Sequence, residues 1–261
     1  MAIFNSASYA AEKVFKVGIV PQYEQRQLFR NWKPLLHELE KNTGLKFELT
    51  VSQKIPAFEK HFLSGLYDIA YVNPYHVLKA NAAQGYIPVV RDSRNLKGVL
   101  VVNNNSPVND INSLQNSKIA FPSPNSLGAS LLMRSILDKQ FNLRFQSKYV
   151  NTHGSVYLHV AKNLVDAGGG VNISFNRQKK IIQEKLKIIY QTPEIVSHPI
   201  VFHPRVSEKN QKIIYEGLFK VIKTKRGKQL FSKVPINNLV ATKIEDYRLL
   251  EMYQLENYLE K

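Results

Sequence analysis

Several loops of this chain carry polar residues and small residues in the order that anion recognition needs. The segment Pro122-Ser123-Pro124-Asn125-Ser126-Leu127-Gly128-Ala129-Ser130 leads from an apolar, strand-like run into a helical one. Asn125 and Ser126 are helix N-cap types, and Gly128 and Ala129 let a ligand approach the main chain. Leu127 lies between them, so its N–H belongs to the same set. Free N–H groups at a helix start, the helix dipole and the hydroxyls of Ser126 and Ser130 would together favour an oxyanion. Without a ligand the same residues make a plain helix cap. Asn151-Thr152-His153-Gly154-Ser155 repeats the arrangement, and His153 can donate to an anion oxygen or close a turn. Pro21-Gln22-Tyr23-Glu24-Gln25 and Asn73-Pro74-Tyr75 add two phenols, Tyr23 and Tyr75, after further strand-like runs. His198, beside Pro199, is another ring donor, whereas His159 falls inside a helical stretch and reads as packed or solvated.

Other chemistries are poorly served. With no cysteine, disulfide scaffolds, thiolate metal sites, cysteine nucleophiles and iron–sulfur clusters are excluded. No nucleophile elbow, HExxH, GxGxxG or GxxxxGK[ST] pattern occurs. Asp68 and Asp166 have neither a base nor a metal cluster beside them in sequence, and the glycines after Asp166 read as a strand edge coming close to a cleft. Neither catalytic residues, a metal nor a cofactor is expected, and the chain does not read as an enzyme.

Elements able to position these loops follow from periodicity. Val14–Val20 is a strand that turns fully apolar, and Leu28, Trp32, Leu35, Leu36 and Leu39 mark one face of a helix closed by Asn42-Thr43-Gly44. Strand-like and helical runs then alternate through Phe47–Val51, Phe58–Leu63, Tyr67–Val72 and Tyr75–Ala83, which predicts a parallel α/β sheet. Ile87–Val90 and Gly98–Val102 are further strands. The polar break Asn103-Asn104-Asn105-Ser106-Pro107 is the expected crossing into a second α/β unit. That unit contains strands at Lys118–Phe121, Phe145–Val150, Val165–Ala167 and Leu186–Tyr190. Its helices are expected at Leu131–Lys139, Val156–Lys162 and Phe175–Glu184. Pro199–Phe202 reads as the return. The expected division is lobe 1 at 12–103, lobe 2 at 104–200, and a return to lobe 1 with C-terminal helices at 201–261. Two crossings make a hinge with a ligand cleft between the lobes.

The 261 residues carry 36 Lys and Arg against 20 Asp and Glu, a net charge of +16, with 44% hydrophobic residues. This is a globular composition with ample length for two cores. No apolar run approaches the roughly 18–20 residues that cross a bilayer. The cations are scattered, the densest groups being Arg177–Lys180 and Lys223–Lys228, so the charge permits a small anionic ligand without identifying one, and a nucleic-acid partner is not expected. Met1–Ala10 lacks a basic start and an apolar centre, but Ser8-Tyr9-Ala10 fits the end of a removed leader as well as a plain terminal extension.

Taken together, the loops resemble those of the periplasmic binding proteins of phosphonate, phosphite and phosphate ABC transporters. The resemblance runs from about Phe15 to Phe231. It rests on Phe15–Pro21, on Ser64–Tyr75 (similar to the family's G-x-x-D-I-A strand and G-P-x-x-Y turn), on Ile111–Leu114, on the Asn125-Ser126 loop, and on Val150–Asp166 with its G-x-H-like start. It implies a two-lobed α/β periplasmic-binding-protein fold, each lobe a mostly parallel sheet flanked by helices. It further implies a periplasmic, monomeric protein that closes on a small oxyanion and delivers it to ABC transporter membrane subunits. The alternative is the extracytoplasmic sensor domain of a histidine kinase or another membrane-bound signalling protein. The site it implies comprises Tyr23, Tyr75, Asn125, Ser126, Leu127, Gly128, Ser130, His153 and Ser155, with Asn172 and His198 shaping the far end. Ser126-Leu127-Gly128 stands where the family has Ser-Thr-Ser, so two hydroxyls are missing. Where relatives that bind aminoalkyl phosphonates hold the ammonium with carboxylates, this chain has Asn172 or Ile173 and His198.

Overall fold

The computed structural model describes residues 13–260, so Ser8-Tyr9-Ala10 lies outside the described residues. The chain begins β1 (Val14–Ile19), α1 (Gln25–Thr43), β2 (Lys46–Val51), α2 (Ile55–Leu63), β3 (Ile69–Tyr71), α3 (Pro74–Gln84) and β4 (Ile87–Asp92). It continues through β5 (Gly98–Asn103), β6 (Lys118–Phe121) and a π-helical turn at Leu127–Leu131 that runs into α4 (Leu132–Lys139). Next come β7 (Gln146–Tyr149), α5 (His153–Ala161), β8 (Ala167–Val171), α6 (Asn172–Asn176), α7 (Lys180–Gln183) and β9 (Leu186–Gln191). The last elements are β10 (Pro199–Phe202), α8 (Glu208–Lys223), α9 (Lys225–Phe231) and β11 (Leu239–Ala241), followed by 3-10 helical segments at Ile244–Tyr253 and Leu255–Tyr258.

Local sequence explains most of these elements. The apolar stripe of α1, Leu28, Trp32, Leu35, Leu36 and Leu39, is its buried face. Gly44 ends the helix at φ 72°, the left-handed conformation that only glycine adopts without strain, and returns its N–H to Glu40 O at 2.8 Å. One aspartate does the same task in each lobe. Asp68 accepts from the Lys16 N–H at 2.8 Å and donates its own N–H to Lys16 O, tying β3 to β1. Asp166 accepts from the Lys118 N–H at 2.7 Å and donates its N–H to Lys118 O, tying β8 to β6. Both carboxylates are structural.

The strands form two sheets, in the orders β11-β4-β10-β3-β1-β2 and β7-β6-β8-β5-β9. The two-lobed α/β architecture is the expected one, but the sheets are mixed rather than mostly parallel. β1 lies parallel to β2 and β3, and β6 parallel to β7 and β8. The strands that lead into and out of each crossing, β4, β5, β9 and β10, run antiparallel to their neighbours. A chain that leaves a sheet and later re-enters it from the other lobe runs against the strands it rejoins.

The crossings also differ from expectation. Gly98–Asn103 pairs with β8 and β9, so it belongs to the second sheet. The outgoing crossing is therefore 93–97 and the returning one 192–198, joined by a two-residue antiparallel bridge between Leu96 and Ile195. Asn103–Pro107 is a turn within the second lobe, with Asn103 Oδ1 accepting from the Asn105 N–H at 3.0 Å. Its polar composition marks a turn, but not which sheet the preceding strand joins. β8 takes up the glycine run and lies centrally between β6 and β5, not at an edge. A Cβ on Gly169 would come within 2.6 Å of the Phe121 ring, so the missing side chains make room for aromatic packing.

A separate apolar cluster fills the seam between the lobes. Tyr75 from the first lobe, Leu96 and Ile195 from the crossings, and Leu127, Leu131 and Leu132 from the second meet Leu250 and Leu255 of the C-terminal segment. That segment was expected to pack on lobe 1 as helices. It forms 3-10 turns that bridge both lobes: Tyr247 is buried in the first core, while Leu255 reaches the seam and Tyr258 and Glu260 bond to the second lobe.

Candidate ligand site

The crossings bring segments of both lobes together around a small cavity. Its walls are Gln22 and Tyr23 after β1, Tyr71 at the end of β3, Leu96, Ser197 and His198 on the crossings, His153 at the start of α5, Val171, Ile173 and Ser174 at the β8–α6 junction, and Pro235. The cavity is about 20 Å³, close to the space one water molecule requires. None of its walls is a carboxylate or a Lys or Arg side chain, whereas two imidazoles, two phenols, two serine hydroxyls and an amide surround it.

His153 and His198 are nearly buried, at 6% and 8% exposure. Burial lowers the His153 pKa to about 4, because the charged ring would lose its hydration. Burial, with His76 and His153 nearby, lowers His198 to about 3. Both rings are therefore neutral at pH 7, each with one N–H donor and one acceptor nitrogen. His198 Nε2 lies 2.6 Å from Gln22 Nε2, which must donate to it, so the His198 proton sits on Nδ1. The ring stacks on Tyr71 at 5.5 Å between centroids. His153 Nδ1 lies 3.2 Å from Ser174 Oγ, leaving Nε2 without a protein partner among the described residues.

Tyr23, His153 and His198 are thus the expected residues that meet at the cavity, and the others lie elsewhere. Asn125 is fully engaged: its Nδ2 donates to Glu59 Oε2 at 3.1 Å and to Glu260 O at 3.0 Å, while its Oδ1 accepts from the Glu260 N–H at 3.1 Å. Ser130 Oγ accepts from Arg134 Nε at 3.2 Å in the interior of the second lobe. Ser155 belongs to the cap of α5, accepting from Thr152 Oγ1 at 2.9 Å. Asn172 Oδ1 accepts from the N–H groups of Lys97 and Ile173, which fixes the outgoing crossing, and Ile173 is the cavity wall. Tyr75 packs in the apolar seam against the Leu127 cluster, and burial raises its pKa to about 12.

In the expected oxyanion loop, Ser130 and Leu131 donate back to Ser126 O at 2.8 and 3.0 Å. The N–H groups of Leu127, Gly128 and Ala129 have no acceptor among the described residues, as a helix start leaves them. The π-helical winding sets this turn against the cavity wall: a Cβ on Gly128 would lie 2.9 Å from Val171 Cγ1. Sequence reasoning did not single out Tyr71, Ser174, Ser197 or Pro235. Ser197 was adjacent to a chosen histidine, and Ser174 sits where a serine caps a strand-to-helix junction, which is the signal that was available.

Among the described residues no helix is long and apolar enough to cross a membrane, and no cluster of three or more His, Asp or Glu side chains is placed to hold a metal. The sequence profile described as "ABC transporter, phosphonate, periplasmic substrate-binding protein" matches residues 17–247. The phosphonates-binding periplasmic protein of Escherichia coli K12 is 26% identical over 238 residues, spanning 85% of this chain and 70% of that protein. Among solved structures, PhnD1 of Prochlorococcus marinus in complex with methylphosphonate superposes with a TM-score of 0.85 at 20% identity, covering 95% of this chain and 100% of that one. A binding protein component of an ABC phosphonate transporter from Pseudomonas aeruginosa gives a TM-score of 0.81 at 17% identity, covering 94% and 86%.

Proposed function

This chain belongs to the family of periplasmic substrate-binding proteins of phosphonate ABC transporters, and on that premise we propose that it binds a small, purely anionic phosphorus oxyanion between its lobes. Phosphite and methylphosphonate are the foremost candidates, and the ligand is handed to transporter membrane subunits. No observation favours the signalling alternative. The carrying observation is the composition of the cavity, which offers neutral polar side chains and no carboxylate. An ammonium group there would find no counter-charge, so 2-aminoethylphosphonate is disfavoured. Its apolar stretch of Leu96, Val171, Ile173 and Pro235 suits hydrogen or methyl as the phosphorus substituent.

In this reading His153, His198 and Tyr23 are ligand donors. The open N–H groups of Leu127, Gly128 and Ala129 complete the set in place of the missing hydroxyls, once the lobes have parted to admit the ligand and reclosed around it. A cavity of about 20 Å³ holds about one water molecule, so on this reading the lobes must part to admit an oxyanion. The net charge of +16 raises the encounter rate of any anion and contributes little selectivity.

A thermal-shift and calorimetric panel tests the reading at low salt. Phosphite and methylphosphonate are expected to raise the melting temperature, and His153→Gln to abolish the shift. Preferential binding of 2-aminoethylphosphonate, or no response to any phosphorus oxyanion, would refute it.

A further inference from the structure

One of the two densest groups of cations takes no part in the ligand site and gathers where α8 meets α9. From 217 to 233 the sequence holds Lys220, Lys223, Lys225, Arg226, Lys228 and Lys233 and no Asp or Glu. All six cations are exposed. Arg226 Nε pairs with Glu38 Oε2 of α1 at 3.0 Å. The five lysines pair with no carboxylate among the described residues. The corner itself is fixed. Thr224 Oγ1 accepts from the Gly227 N–H at 2.8 Å and donates to Val221 O at 2.9 Å. A Cβ on Gly227 would run into Val221 O, so only glycine lets α9 leave α8 this closely.

Helical spacing turns these lysines outward. α8 buries Ile214, Leu218 and Val221, and α9 buries Leu230 and Phe231, all in the core of the first lobe. Lys212, Lys220 and Lys223 fall on the opposite stripe of α8. Lys225 and Lys228, three residues apart, fall on the opposite face of α9. Glu216 shares the α8 stripe and lies 4.0 Å from Lys212, so it offsets that lysine and leaves the corner positive. Half-buried Tyr215, Phe219 and Ile222 border the stripe, the two rings 4.9 Å apart.

We propose that the α8–α9 corner is a docking surface for an anionic phospholipid membrane. A stripe of cations bordered by half-buried aromatic and aliphatic side chains is the pattern of a helix that lies on a membrane surface. Each lysine near an anionic leaflet gains from its surface potential, and none needs a pocket to do so. Spread over the outside of two helices, the lysines match a sheet of headgroups, whereas a single small anion calls for a cleft that surrounds it. Members of the family serve ABC transporters and so work beside the membrane that carries the transporter, which makes lipid the anionic surface at hand. The inference rests on family membership and is independent of which ligand the cavity takes.

The test is co-sedimentation of the full chain with vesicles at low salt, comparing phosphatidylglycerol mixed with phosphatidylcholine against phosphatidylcholine alone. Sedimentation with the anionic vesicles only, lost at high salt, is expected. Two variants of equal net charge locate the surface. One is Lys220→Glu/Lys225→Glu/Lys228→Glu at the corner; the other is Lys148→Glu/Lys162→Glu/Lys180→Glu, at three exposed lysines of the second lobe. The corner variant should bind at least about tenfold more weakly than the wild type, and the second-lobe variant should retain most of the binding. Lys220→Gln/Lys225→Gln/Lys228→Gln gives the same reading if charge reversal impairs folding, which thermal unfolding reports. No sedimentation with anionic vesicles, or equal binding to neutral ones, overturns the proposal. So does equal loss in the two charge-reversed variants, which would show that the net charge acts without a preferred face. Binding of the corner to polyglutamate but not to vesicles also overturns it and assigns the surface to an acidic protein.

Discussion

Asn125 of the second lobe donates to Glu59 of the first, Nδ2 to Oε2 at 3.1 Å, and so joins the lobes across the cleft. On the far side, Glu59 Oε1 is 2.8 Å from His76 Nε2. Burial raises the Glu59 pKa, but the bonds from His76 and Asn125 outweigh it and leave the carboxyl below its ordinary value. The same asparagine holds the main chain of Glu260 through both ends of its amide. One side chain therefore ties together first lobe, second lobe and C-terminal segment.

Replacing that side chain should loosen closure. Asn125→Ala removes one bond across the cleft and two to Glu260, a loss of about 1–2 kcal/mol for the closed form. The ligand-free variant is expected to show a larger radius of gyration by small-angle scattering. Scattering identical to the wild type would show that the apolar seam around Tyr75 and Leu127 alone holds the lobes together.

The C-terminal segment depends on Arg134, which is 8% exposed. Its guanidinium donates to Tyr258 O at 2.6 Å, Pro124 O at 2.8 Å, Glu260 Oε1 at 3.1 Å and Ser130 Oγ at 3.2 Å. Tyr149 also donates its phenol proton to Glu260. Arg134→Met keeps the apolar stem and strands these acceptors, so a loss of about 2–4 kcal/mol is expected in urea unfolding. Hydrogen exchange should accelerate first over 244–260, since a segment held by few contacts opens before the core. Uniform acceleration along the chain would contradict this assignment.

Acid should destabilise the protein well before its carboxylates are all protonated. His153 and His198 have folded pKa values of about 4 and about 3, below the 6.5 of an exposed histidine. Above pH 6.5 neither state carries the extra proton, so their contribution is constant. Between pH 6.5 and about 4 the unfolded chain takes up protons that the folded protein refuses, and stability falls, by up to about 3 kcal/mol for His153. Glu59, with its lowered pKa, adds loss in the same direction as pH drops below 4.5. The urea midpoint should decline from pH 7 to 4.5, and the decline should be shallower in His153→Gln/His198→Asn. Equal slopes in the two proteins would mean that the rings are hydrated in solution.

The sequence by itself determined the parts governed by local spacing. The stripe from Leu28 to Leu39 could only be one face of a helix, Gly44 could only end it, and the loops before α4 and α5 had to present helix starts. His153 was legible for the same reason, being placed at such a start. Only the tertiary structure decided which sheet Gly98–Asn103 would join, because a buried strand that is apolar up to its last residue is equally at home in either core. It also decided that Asn125 would hold Glu260, a residue 135 positions away, rather than a ligand. An amide carries no mark of its partner in sequence; the partner is whichever complementary group the fold brings within 3 Å. His198, Ser174 and Tyr71 became cavity walls in that way, once the two crossings had closed one lobe against the other.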